Sequence, residues 1–217
     1  MKRAAALLAL PFLIGAQAAP AGLSRPVVMP LFKRVFDFHT RFGFNPQPLQ
    51  RNEREVLLEF LQTGETFDTW TRLITVRGFR DVGASPMSTR EIATRLFDPK
   101  PCGASGNLFV GPEQTIRGAL RRTVVTISCG HSPGYVYPGE KAGGGEQDFI
   151  YLFRDDQHVY TLQYAMRGPG FDKPPIAPAM AASILTEQFG EVRLCATDDD
   201  PGCKPALDFA RKNGWKG

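Results

Sequence analysis

The order of strand-forming and helix-forming segments predicts an α+β fold: a single, largely antiparallel sheet with two main helices. Three observations carry this. Aromatic and β-branched runs follow one another, mostly without a helix between them. One pair of runs, over residues 147–168, is split by the polar Arg154-Asp155-Asp156-Gln157, as in a hairpin. Only residues 85–98 and 177–189 carry a helical pattern.

The chain opens with "MKRAAALLALPFLIGAQAAPAG". Lys2 and Arg3 precede an apolar run from Ala4 to Ala16, and Ala16-Gln17-Ala18 fits the small-x-small cleavage rule. Residues 1–18 read as a secretory signal peptide. The run is shorter than the roughly 20 apolar residues a bilayer span needs. No cysteine stands at the cleavage point, so a lipoprotein anchor is not expected. No later segment is apolar enough to span, so a soluble periplasmic or secreted product is expected. The formal charge of +4 includes Lys2 and Arg3, leaving +2 on the rest. That balance is too weak to argue for a nucleic-acid partner.

Residues 19–52 form a Pro- and Phe-rich N-terminal arm, with prolines at 26, 30, 46 and 48 against a long helix. Its partial alternation, Phe36 and Phe38, then Phe42 and Phe44, suits an extended segment lying on the main body. Residues 53–205 make the α+β domain and 206–217 a C-terminal tail. Val56–Leu61 and Leu73–Phe79 read as strands. Ser88 and Glu91 form an S-x-x-E capping box ahead of a helix that Pro99 and Pro101 stop. Strands resume over "NLFVG" and "RRTVVTISCG". After the aromatic hairpin, "APAMAASILTEQF" is helical and Gly190 ends it. "EVRLCA" adds a short last strand.

Cys102, Cys129, Cys195 and Cys203 are the four cysteines. An even count after a signal peptide points to disulfides, and four cysteines allow three pairings. The expected pairs are Cys102–Cys129 and Cys195–Cys203, the second closing "CATDDDPGC" across an Asp-Pro-Gly turn. No C-x-x-C pair exists, so neither a metal site nor a cofactor is expected.

Several landmarks occur together. Glu65 to Thr71 ("ETFDTWT") leads into the strand "RLITV". A helix ends at Cys102, a later strand ends at Cys129, a Gly-Glu step opens the hairpin ending "YTLQYAMR", and "VRLC" follows the last helix. Over residues 53 to 205 the chain resembles a group of uncharacterised exported proteins of Gram-negative bacteria, with Thr69 where Asn commonly precedes Trp-Thr. The resemblance supports export and the disulfide pairing, and implies no activity. Strands with two helices also give a fold-level analogy to a PsbP-like α–β sandwich.

The most enzyme-like stretch is "SCGHSPG", residues 128–134, where Gly130 to Gly134 fits the G-x-S-x-G nucleophile elbow. Two features oppose that reading. The elbow needs a helix after the serine, and "PGYVYPGEKAGGG" cannot start one. The oxyanion hole uses the N–H of the next residue, and Pro133 has none. In chain order, His158 is the histidine left to serve Ser132. Cys129 with His131 could make a thiol nucleophile, but export favours a bridged Cys129. The Gly-rich "PGEKAGGGE" lacks a P-loop ending and reads as a mobile surface loop; "TDDDPG" lacks EF-hand spacing. If a ligand binds, aromatic residues in loops place it near Trp70, Tyr135 and Tyr137.

The sequence therefore predicts a non-catalytic binding or accessory module of the envelope. Its partner is an envelope protein or a small apolar ligand. The alternative is a small secreted hydrolase or thiol enzyme using Ser132 or Cys129.

Overall fold

The Pro- and Phe-rich arm is a β-hairpin. In the computed structural model, which describes residues 24–41, 43–132, 134–135, 137–138, 143–196 and 200–216, β1 (Ser24–Leu31) pairs with β2 (Arg34–Arg41) in antiparallel register. The signal peptide lies outside the described residues. Pro26 and Pro30 fall in β1, an edge strand, where a missing N–H breaks few ladder bonds. β2 buries Phe36, Phe38 and Thr40. The arm covers the core as expected, but as part of a sheet of its own.

The strands accordingly sort into two sheets rather than the single one expected. The first has the order β1-β2-β12, with β12 (Arg193–Cys195) antiparallel to β2. The second has nine strands. They are β3 (Phe44–Pro46), β4 (Gln50–Arg51), β5 (Glu55–Gln62), β6 (Arg72–Phe79), β7 (Gly106–Val110), β8 (Gln114–Arg117), β9 (Leu120–Cys129), β10 (Gly145–Arg154) and β11 (Val159–Gly168). Their order is β3-β5-β6-β11-β10-β9-β7, with β4 beside β5 and β8 beside β9, and the recorded pairings are antiparallel. The α+β class and the antiparallel pairing stand.

Three α-helices complete the described residues. α1 (Thr89–Leu96) starts at the expected capping box. The Ser88 hydroxyl accepts from Glu91 N–H, and Ser88 N–H donates to the Glu91 carboxylate. Ile92, Ala93 and Phe97 cover Val125, Ile150, Leu152 and Val159 on one face of the large sheet. α2 (Ala181–Phe189) packs with the small sheet on the opposite face. There Phe36 meets Phe153 edge-on at 5.6 Å, and Phe38 meets Phe189 at 5.7 Å. Each such pair adds about 0.5–1.5 kcal/mol beyond area burial. α3 (Lys204–Lys212) corrects the expected tail. It buries Ala206, Leu207 and Ala210 with Val35, Cys195 and Cys203. Both expected disulfides form, Cys102–Cys129 and Cys195–Cys203. Among the described residues no helix is long and apolar enough to cross a membrane.

Candidate functional site

At the elbow motif, Ser132 is held against Gly144 and Tyr135, while Pro133 lies outside the described residues. Ser132 N–H donates to the Gly144 carbonyl at 2.8 Å, and the Ser132 carbonyl accepts from Tyr135 N–H at 3.3 Å. Glycines make this closeness possible. A Cβ on Gly143 would stand 2.1 Å from the Ser132 carbonyl oxygen, and one on Gly144 2.4 Å from the Tyr135 ring. The Gly-rich segment expected to be a mobile surface loop is thus tightly packed at its described end, 143–146. His131 faces the Gly143 carbonyl at 3.4 Å and a fully exposed Asp172 at 3.6 Å. Cys129 is in a disulfide and offers no thiolate.

His158 lies beyond the far end of β10, about 30 Å from the Ser132 turn at roughly 3.4 Å per strand residue. It is buried, and its Nδ1 accepts from Asp81 N–H at 3.1 Å. Burial holds its pKa below the ordinary value, outweighing the pull of the Asp155 and Asp81 carboxylates. No Ser–His pair forms here.

Two of the three aromatic residues expected at a ligand site do meet, around an arginine. The Arg167 guanidinium lies 3.6 Å from the Trp70 ring centroid and 4.9 Å from that of Tyr135. Its Nε–H donates to Glu146 at 2.7 Å. Trp70 packs on Leu61, Leu73 and Ala165, and Tyr137 stands edge-on to Tyr135 at 6.4 Å. The place a ligand would occupy beside Trp70 holds a side chain of the protein itself. Beneath it Asp148 is buried, accepting from Gln163 at 3.2 Å. Burial, reinforced by Glu146, pushes its pKa well up.

A wide groove lies elsewhere, between the large sheet and the segment that runs from α2 into β12. Its wide part encloses about 790 Å³ and a narrower continuation about 320 Å³, and the two share Arg122, Glu191 and Val192. Val124 and Tyr151, then Leu120 and Phe153, form the floor. One wall is α2 and residues 190–196. The other is Phe109, Gln114, Ile116 and Arg117, from the β7–β8 edge. Phe109, Ile116 and nearby Met180 are 42%, 46% and 51% exposed, so the open rim carries exposed apolar side chains beside Gln114, Arg117 and Glu191.

Most charges in the groove are matched. Arg193 meets Glu191 and Asp37, Arg34 meets Asp155 at 2.8 Å, and Arg117 meets Asp200 at 3.2 Å. Asp198 and Asp199 of the "TDDDPG" turn lie outside the described residues. Arg122 differs. It stacks over Tyr151 at 5.0 Å and reaches only the neutral Gln114 amide at 3.4 Å. No carboxylate lies within ion-pair distance of it among the described residues. Tyr151 in turn meets Thr186 of α2 at 3.3 Å. Among the described residues the arrangement supplies a groove of mixed apolar and polar lining with one cation lacking a carboxylate partner, and no nucleophile paired with a base. Sequence reasoning missed it, because its walls come from segments as far apart as 109 and 196.

No protein-family model matches the chain, and no curated protein matches it. Among solved structures, the Saccharomyces cerevisiae Ran-binding protein Mog1p is similar at 9% identity and a TM-score of 0.39, over 76% of this chain and 85% of that one. At that level the similarity assigns no function.

Proposed function

We propose that the chain is an exported, disulfide-bonded module of the cell envelope that works by binding, without a catalytic centre of its own. The groove between the large sheet and the α2–β12 segment carries this reading: it is open, lined by apolar and polar groups together, and holds Arg122, which has no carboxylate within ion-pair distance among the described residues. Support also comes from Cys129, which is bridged, and from Ser132, which is remote from His158. Two disulfides fit an oxidising compartment. The signal-peptide pattern and the resemblance to exported Gram-negative proteins favour the periplasm. The partner is an envelope protein or a small apolar ligand, and the site is the groove rather than Trp70.

The test uses the mature chain after export to a bacterial periplasm. Thiols are counted under denaturing, non-reducing conditions, and a fluorophosphonate probe is applied to the native protein. The expected result is no free thiol and no label on Ser132. Labelling of Ser132, or a free Cys129 thiol, would instead support the hydrolase or thiol-enzyme alternative.

A further inference from the structure

Residues 191–196 line the narrower groove without a gap. A strand seen from one face presents alternate residues, whereas a strand seen along its edge presents every one. The groove therefore runs along the outer edge of β12. That edge is open: β12 pairs with β2 on one side, and no strand among the described residues pairs with the other. An open edge offers a row of N–H and C=O groups to another chain. The opposite edge of the same sheet is β1, which Pro26 and Pro30 blunt, while β12 carries no proline.

We infer that the groove accepts an extended peptide strand, which adds to the free edge of β12, sets alternate apolar side chains on the floor, and places a carboxylate on Arg122. This rests on the binding reading above and names its partner class. Three complementarities argue for it. The β12 edge matches a peptide backbone, which a lipid tail or other purely apolar ligand cannot satisfy. Leu120, Val124, Tyr151 and Phe153 form an apolar floor, with Phe109 and Ile116 on the facing wall. Such a surface suits the alternating side chains of a strand. Among the described residues Arg122 is the groove cation left without a carboxylate, and an acidic residue of the peptide would match it. β12 itself offers three residues, about 10 Å at roughly 3.3 Å per residue, and residues 190–192 and 196 continue the wall outside the strand. The Arg117–Asp200 pair joins the two walls at the narrow end.

The probe is a phage-displayed library of random nonapeptides, selected on the mature disulfide-intact protein. Enriched peptides are then synthesised with free amides or with N-methyl groups at alternate residues. The expected result is a consensus of alternating apolar residues with one Asp or Glu. Binding should be abolished by N-methylation in one alternate set. It should fall about tenfold in Arg122→Gln, the scale of one lost charge-assisted hydrogen bond. Ile116→Glu, on an exposed wall residue, gives a second reading and should also weaken binding. No enrichment, or enriched peptides indifferent to N-methylation and to both substitutions, would overturn the strand proposal. Laurate is tested in parallel. Displacement of a groove probe by laurate, with no peptide selected, would overturn the strand while keeping the binding module. Ser132 labelling would remove the binding reading itself.

Discussion

Replacing Arg167 tests how far its stack on Trp70 and Tyr135 holds this region together. Its guanidinium stacks on Trp70 at 3.6 Å and on Tyr135 at 4.9 Å while donating to Glu146 at 2.7 Å. The Arg167 and Glu146 side chains are only 17% and 22% exposed, so the pair is partly desolvated. The Trp70 contact is worth about 1–2 kcal/mol and the Tyr135 contact about 0.5 kcal/mol. The bond to Glu146 adds about 1.5 kcal/mol. Arg167→Met keeps the stem and loses all three, for about 3–4 kcal/mol, an upper figure because the contacts share one group. Arg167→Lys keeps a charge near Glu146 but loses the flat stack, and costs about 1–2 kcal/mol. With a urea slope of about 2 kcal/mol/M, the midpoints fall by about 1.5–2 M and 0.5–1 M. Trp70 and Trp215 are the two tryptophans, so fluorescence follows the transition. Arg41→Met, which breaks an exposed pair with Glu187, serves as control and should shift stability by about 0.5 kcal/mol or less. If both Arg167 variants unfold with the control, the latch is not a source of stability and the site beside Trp70 is open to a ligand again.

Further outcomes follow from the same structure. Asp148 keeps its proton in the folded chain above the pH at which the unfolded chain releases it, because burial and Glu146 raise its pKa. That contribution is present below the ordinary carboxylate range and is lost as pH rises, so Asp148→Asn should be more stable than wild type at pH 7–8, measured by thermal unfolding. His158 has the opposite sign: its lowered pKa supplies stability above the ordinary histidine value and loses it as pH falls. His158→Gln should flatten the acid limb of the stability profile; an unchanged limb would exclude His158 as its source. Cys102–Cys129 closes a loop with a separation of 27 and Cys195–Cys203 one of 8. By chain entropy, paired Cys→Ala substitutions cost about 3.5 and 2.5 kcal/mol, checked by urea unfolding under non-reducing conditions. An undetectable cost for the first pair would rule out that account.

Much of the fold was legible because local chemistry and tertiary context agree. The Ser88 box starts α1, the turn at Asp155 closes the β10–β11 hairpin, and Gly190 ends α2. Tertiary context overrode the rest. Pro26 and Pro30 argue against structure in isolation, yet at a sheet edge they are tolerated, so the arm becomes β1 and β2. α3 carried a readable signal, Pro205 at its start and Ala206, Leu207 and Ala210 on one stripe, which a tail assignment passed over. At the candidate site, Trp70 and Tyr135, named from the sequence as lining a ligand site, both stack on Arg167. The sequence could not show Arg167 between them, because that contact joins residues 70, 135 and 167. The groove was invisible for the same reason: Arg122 is one of many arginines until the fold leaves it, among the described residues, without a carboxylate.

The most direct test of the groove reading is amide hydrogen exchange on the mature protein with and without a selected nonapeptide. The account predicts slowed exchange over residues 192–196, the open edge of β12, with smaller effects at Gln114–Arg117 across the groove and none around Ser132. Protection confined to residues 130–138, or to the separate hollow that Arg25–Val28 of β1 and Phe209 of α3 line, would contradict it.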